Sequence, residues 1–485
     1  MKKGLSVVLV FMLLMSLVPV FGANETDIKG SLVIVGGALR ADNSAVYKAL
    51  IARAGGVEKA KIGVVPAASG SPAKYAQMFR DDMVANGLKP EQIVTLPLAV
   101  KDEKKTKEVD ESKWATNGTN PEVAKMVEGL TGVWFVGGDQ LRITQVLINP
   151  DGSNTPVLDA IWKVYRDGGV IGGSSAGAAI MSEVMIAGGD SLSALSFGYT
   201  KSFDASTLDY QNAGGLVVSK GLGFFKEGIV DQHFDRKARL GRLSVVTYDN
   251  KAKYPVSFGV EENTALIYDN VTRKISVAGT AGVVVLDARK ATKASKTSEY
   301  KDFYVTYLEG ADQYDVATQK AAMDASKYTT IGYEYNETKA PTWGGAMGAN
   351  QRFRDLIGFD LVDNVALKTL TTYLFGAEKE GFAFTFSKVE GTEGYWGQSS
   401  AADLYSFEKV KMNIAPVNVH ITPANQSAAP VVSKPKVNTH IVKQGEQLAK
   451  IAANYKITLQ ALLSANQLKS TSALKAGQKL IIPSK

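Results

Sequence analysis

The chain of 485 residues contains no cysteine and only three histidines. Without thiols there is no disulfide, no thiolate nucleophile and no cysteine-bound metal, and any imidazole chemistry falls to His233, His420 or His440. Such a composition suits an exported protein that stays clear of thiol oxidation. Long apolar runs are also missing: past the N-terminal segment, no stretch approaches the ~20 consecutive apolar residues that cross a bilayer as a helix. Charge is not concentrated either. A formal net charge of +7 arises from 55 basic and 48 acidic residues spread along the sequence, which predicts a mildly basic, solvated surface attracted to anionic wall polymers. No groove-reading motif accompanies it, so nucleic acid is not an expected partner.

What is present begins with a leader. Residues 1–23 open with Lys2 and Lys3, run through LSVVLVFMLLMSLVPVF and reach small residues at Gly22 and Ala23. This is the layout of a secretory signal peptide, with an uncleaved membrane anchor as the alternative. Over residues 30–290, the β-branched runs SLVIVGGAL, KIGVVPAAS, QIVTLPL, GVWFVGGD and GGVIGGSSAG alternate with helical stretches. That rhythm predicts an α/β fold, a mostly parallel sheet with flanking helices and a site at the carboxyl ends of its strands. SVVTYD, FGVEENTALIYD and KISVAGTAGVVVLD read as antiparallel strands closing the sheet.

Residues 291–413 are expected to form a small α+β extension of unknown role, with helices in TYLEGADQYDVATQKAAMDAS and NQRFRDLIGFDLVDNVALKTLTTYLFG. Residues 414–437, with Pro416, Pro423, Pro430 and Pro435, have the composition of an extended linker. Residues 438–485 form a last domain, with a strand at each end and two helices between. Its Leu448, Ile451, Ala452, Leu459, Leu462 and Leu463 recur at helical spacing.

The sharpest chemical signal is VIGGSSAGAAIMS at 170–182. A serine hydroxyl is a weak nucleophile until a base takes its proton. An apolar strand, a tight Gly173-Ser174-Ser175-Ala176-Gly177 turn and a helix of small residues make a nucleophile elbow, with Ser175 central between the glycines. A small-residue turn packed against another backbone is the plain alternative. At the helix start, the Ala176 amide is a candidate oxyanion donor, and in GVWFVGGDQLRITQVL at 132–147 the amides around Gly138 and Asp139 are candidates to complete the hole.

His420 lies beside the linker and His440 opens the last domain, which leaves His233 as the candidate base. Its segment, GIVDQHFDRKARLGRL, reads as a strand end followed by a basic helix with Arg236, Lys237, Arg239 and Arg242. These cations suit a carboxylate-bearing substrate, or else form an ordinary solvated helix face.

In this order, GGDQLR, GGSSAGAA and DQHF followed by RLGRL resemble the cyanophycinase and dipeptidase E family of serine peptidases over about residues 30–290. The resemblance implies a class I glutamine amidotransferase-like fold, commonly dimeric, so that a homodimer is expected, with Ser175 as nucleophile and His233 as base. It implies Asp190, in MIAGGDS, as the acid that orients the histidine, with Glu183 as the alternative. It also implies that Gln140, Asp231, Gln232, Lys237, Arg239 and Arg242 line a pocket for a β-aspartyl-arginine unit. Lys237 stands where the family pattern has arginine, and lysine loses the planar fork. The stretch between Ser175 and His233 is longer than in simple members and is expected to form a loop over the pocket.

VKQGEQLAKIA, ANQL and AGQKLIIP resemble the LysM family over essentially all of 438–485, which implies a βααβ fold that binds N-acetylglucosamine-containing glycans such as peptidoglycan or chitin. Together the two resemblances imply a secreted serine-type hydrolase retained at the cell wall. Its expected substrate is cyanophycin, a polymer with an aspartate backbone and arginine on each side-chain carboxylate, cleaved to β-Asp-Arg dipeptides with no metal or organic cofactor. Other acidic or isoaspartyl peptides are the alternative substrate. A wall-glycan binding protein without catalysis is the alternative function.

Overall fold

The computed structural model describes residues 28–483, apart from 105, 107, 201–213, 296, 340–352, 377–379, 400–401, 421–437, 467 and 470–472. The expected signal peptide lies outside the described residues, as does most of the expected linker. Two compact units divide between Val419 and His420.

In the first unit, strand β1 (Ser31–Val35) sends Leu32 and Ile34 to one face and Val33 and Val35 to the other, all fully buried, so both faces must be covered. It joins β2 (Ile62–Val65), β3 (Ile93–Thr95), β4 (Gly132–Phe135) and β5 (Val170–Ser174) in a parallel array of order β1-β5-β4-β2-β3. Helices Ser44–Arg53 and Pro72–Ala85 cover the Val33 face through Tyr47, Leu50 and Phe79. Helices Gln140–Leu147 and Pro156–Arg166 cover the Leu32 face through Leu141, Val146, Leu158 and Ile161.

The later strands are β6 (Val184–Gly188), β7 (Val217–Lys220), β8 (Ile229–Asp231), β9 (Val256–Val260), β10 (Thr264–Asp269), β11 (Lys274–Gly279) and β12 (Gly282–Asp287). β10 and β11 extend the first sheet antiparallel beyond β1, which makes it mixed. β6 and β7 pair as a separate ribbon. A second sheet starts with β8 parallel to β9, then β12 antiparallel to β9.

SVVTYD is not a strand. It lies in the helix Leu240–Asn250, because the upstream residues extend its apolar positions into a helical series, with Leu240, Leu243, Val246 and Thr247 buried. The basic residues ahead of it also differ from expectation: Arg236, Lys237 and Arg239 precede the helix, and only Arg242 lies within it.

Residues 291–413 do not separate at 290. Strand Tyr300–Glu309 hydrogen-bonds to β12, and strand Gln313–Asp315 to β11, so both sheets run on without a break. The second sheet then adds Asp403–Asn418, whose edge away from Tyr300–Glu309 pairs first with Glu393–Gln398 and further along with a hairpin of Thr369–Phe375 and Glu380–Ser387. The helix expected over 306–326 is absent: the alternation YVTYLE buries Val305 and Tyr307 in a sheet. Of the second expected helix, Phe353–Val362 is helical, in a wide π-type form, and TLTTYLF is a strand. The long strand ends at Asn418, so residues 414–418 of the expected linker belong to the sheet.

The second unit pairs strand Asn438–Ile441 with Lys479–Ile482 and places helices Leu448–Asn454 and Leu459–Ala465 between them, a βααβ order. Leu448, Ile451, Ala452, Leu462 and Leu463 are core, whereas Leu459 is exposed. Among the described residues no helix is long and apolar enough to cross a membrane.

Candidate active site

The turn after β5 lifts Ser175 out of the sheet. Its backbone takes φ 56°, ψ −107°, a strained pair for a residue with a Cβ, and its amide donates to the Val35 carbonyl at 3.0 Å. The turn closes only because Gly177 is bare: a Cβ there would lie 2.3 Å from the Phe135 carbonyl oxygen. Such a bend presents the hydroxyl at the carboxyl edge of the parallel strands.

His233 follows β8 by two residues and is also strained, at φ 45°, with its amide bonded to the Gly36 carbonyl at 2.6 Å. Its ring rests on Gly37, where a Cβ would come within 2.3 Å of Cε1. His233 Nε2 and Ser175 Oγ are 2.8 Å apart, and His233 Nδ1 is 2.6 Å from Glu262 Oε1. The carboxylate holds the proton on Nδ1, which leaves the Nε2 lone pair to accept the serine proton.

Neither Asp190 nor Glu183 takes the position expected of the acid. Asp190 caps the helix Ser191–Phe197, accepting from the Ser193 amide and hydroxyl at 2.9 and 2.7 Å. Glu183 bonds Lys253 and the Tyr254 hydroxyl. Glu262 reaches the imidazole instead, because β8 and β9 are parallel neighbours and the residues just past their carboxyl ends fall side by side.

Burial holds His233 below the usual imidazole pKa; Lys237 and Arg239 push the same way, and Glu262 opposes them. Behind the triad, burial and the repulsion of Asp235 drive Glu261 well above the ordinary carboxyl range.

The amides of Gly138 and Ala176 have no hydrogen-bond partner among the described residues, and a Cβ on neighbouring Gly137 would sit 3.9 Å from Ser175 Oγ. Both N–H groups are therefore available near the nucleophile. The Asp139 amide is not: it donates to the Ala68 carbonyl at 2.9 Å, and the Asp139 carboxylate caps the next helix at the Leu141 amide.

The residues expected to line the pocket divide in two. Gln140 is buried, its side-chain amide donating to the carbonyls of Ile186 and Ala187, and so braces β6. Asp231 and Arg242 form a buried bidentate pair at 2.8 and 2.6 Å, and Arg242 also reaches the Gly189 carbonyl. These three hold the floor. Lys237 is exposed and hydrogen-bonds no described residue through its ammonium; partial desolvation, then Arg239 and Arg242, lower its pKa. Burial and Arg242 push Arg239 down to about 9; its guanidinium donates to the Gln232 carbonyl and lies 3.6 Å from Asp231 Oδ1, a carboxylate it shares with Arg242. The buried Gln232 Oε1 has no partner among the described residues. Of the expected loop between Ser175 and His233, residues 201–213 lie outside the described residues.

The arrangement combines a base-activated hydroxyl with two amides that have no partner among the described residues, the equipment for acyl transfer. Comparison with known proteins agrees with that chemistry. The sequence model of peptidase family S51 matches residues 32–275, and that of the LysM domain matches 440–483. A cyanophycinase of Nostoc sp. is 29% identical over 276 residues, 55% of this chain and 77% of the relative. One of Synechococcus elongatus is 28% identical over 263 residues, 54% and 69%. The crystal structure of a peptidase from an acI-B1 Actinobacterium aligns with a TM-score of 0.38 at 22% identity, covering 54% of this chain and 91% of that one.

Proposed function

The chain belongs to peptidase family S51, and from that premise we propose that it hydrolyses cyanophycin to β-Asp-Arg dipeptides outside the cell, held at the wall by its LysM domain. Ser175 Oγ attacks a backbone carbonyl of the polymer while His233 Nε2 takes its proton and Glu262 steadies the imidazolium that forms. The amides of Gly138 and Ala176 receive the oxyanion. The tetrahedral intermediate collapses as His233 returns the proton to the departing amine, leaving an acyl-Ser175 ester. Water, deprotonated by the same imidazole, then releases the acid and restores the hydroxyl. Lys237 and Arg239 meet the substrate's carboxylates.

One observation carries the reading: the hydrogen-bonded series from Ser175 through His233 to Glu262, beside two unoccupied amides. Export rests on residues 1–23 and wall retention on residues 440–483. A second substrate class, other acidic or isoaspartyl peptides, is favoured by Lys237, whose single ammonium grips a carboxylate less specifically than a guanidinium fork.

Incubation of purified protein with cyanophycin, followed by detection of the dipeptide, tests the proposal. Wild type should release it, while Ser175→Ala and His233→Ala lose about 10³-fold or more. Release from isoaspartyl peptides alone favours the second class. Unchanged turnover in Ser175→Ala overturns both.

A further inference from the structure

Far along the chain from the triad residues, the second sheet carries a cleft of about 610 Å³ that none of the chemistry above uses. Tyr328, Tyr333, Tyr335, Phe359, Trp396 and Tyr405 line it. Tyr328 faces Trp396 across an antiparallel pair, and the Phe359 ring lies 6.4 Å from Tyr335 and 5.8 Å, edge-on, from Tyr405. Tyr328, Tyr333 and Tyr335 are 70%, 81% and 82% exposed, a concentration of solvent-facing aromatic rings at one cleft. Among the described residues, the charges in the lining are of one sign: Asp363 at the base, held by the Tyr335 amide at 2.8 Å and the Tyr405 hydroxyl at 3.2 Å, and Asp403 exposed at the rim. Glu334 adds to the same field. Lys388 also acts on Asp363, but its ammonium is bonded to the Asn364 carbonyl, and it is not among the lining residues.

Aromatic faces beside carboxylates attract a planar cation, because the ring quadrupole and the carboxylates act together. A guanidinium answers both: it stacks flat on a ring and offers a fork of N–H donors to a carboxylate. We infer that this cleft binds the guanidinium groups of an arginine-bearing chain, an inference that rests on the proposed substrate and gives the region 300–418 a role in holding it. Since the whole protein carries a net charge of +7, it has no general attraction for a polycation, and such binding must be local.

The test uses the full-length chain carrying Ser175→Ala, so that nothing is digested, with poly-L-arginine, poly-L-lysine and chitotetraose as probes, followed by calorimetry and tryptophan fluorescence. Poly-L-arginine should bind more tightly than poly-L-lysine. The added pair Tyr333→Ala and Tyr335→Ala should weaken it at least tenfold, and Asp403→Asn should weaken it and blunt its salt dependence. The same variants in the active chain should cleave a short soluble substrate at the wild-type rate, which shows that the fold and triad are intact. Equal affinity for the two polymers, no change in the tyrosine variants, or loss of chitotetraose binding alone overturns the inference. Failure of the digestion assay leaves the arginine-binding result standing, so the two proposals fail separately.

Discussion

Lys237 and Lys327 show how differently one side chain can be used within one unit. Lys327 is buried, and its three ammonium protons meet three acceptors: the Glu309 carbonyl at 2.6 Å, Asp312 Oδ2 at 2.7 Å and Ser406 Oγ at 2.7 Å. Asp312 is satisfied in turn by the Glu309 and Asp324 amides and the Ser406 hydroxyl. Such a closed network fixes how the strands of residues 300–418 lie together. Lys237 is exposed and has no hydrogen-bond acceptor among the described residues; Arg239 and Arg242 act on it against Glu262 and Asp231, and the neighbouring His233 has its pKa lowered by burial and then by Lys237 and Arg239. Its surroundings are incomplete until something anionic arrives. A charge whose partners are all present is structural; a charge left over beside a nucleophile points to what is to be bound.

The comparison can be broken first at the triad. Glu262→Gln keeps the shape but no longer fixes the proton on Nδ1, so kcat should fall about 10²–10⁴-fold with the fold intact. Asp190→Asn, which still caps its helix, should leave kcat near wild type. Comparable losses in both variants would return the acid to Asp190. Next in size is Lys327→Met, which strands a buried carboxylate and should cost about 3–5 kcal/mol of stability, read from the urea midpoint. Lys237→Met, by contrast, should shift stability by less than about 0.5 kcal/mol while raising KM for the polymer. If the two lysine variants unfold alike, the distinction between them fails.

The parts of the site differed in legibility because the forces that place them act over different distances. Ser175 is set by its own neighbours: a strand, two glycines and a helix start make the bend almost regardless of the rest of the fold. His233 could be found by elimination. Glu262 could not, since its place depends on β8 and β9 lying parallel, a pairing between strands about 27 residues apart that no local pattern records. FGVEEN does hold a signal, two carboxylates where a strand ends at the sheet's carboxyl edge, but only the topology says which histidine they meet. Asp190 misled for a physical reason as well: an aspartate just before a short helix serves as a cap far more often than as a catalytic acid. The 306–326 stretch misled because its alanines and glutamines suggest a helix, whereas Tyr307 and its neighbours are taken up by an adjoining strand edge.

The smallest effect, and the one that links the two lysines to chemistry, is in pH dependence. Neutral His233 is the working base, and burial, Lys237 and Arg239 all lower its pKa. The acid limb of kcat/KM should therefore fall below the ordinary imidazole value of about 6.5. Lys237→Met removes one of the opposing charges, so protonation becomes easier and the limb should move to higher pH. Glu262 acts in the other sense: its carboxylate favours the imidazolium, and Glu262→Gln should move what activity remains to lower pH. Salt should reproduce the Lys237→Met shift in wild type and hardly alter the variant, since screening and deletion remove the same exposed charge. A substrate carboxylate seated on Lys237 should also raise the His233 pKa, so the limb of kcat, which reports the bound complex, should lie above that of kcat/KM. If the two limbs coincide, the anion does not sit on this lysine.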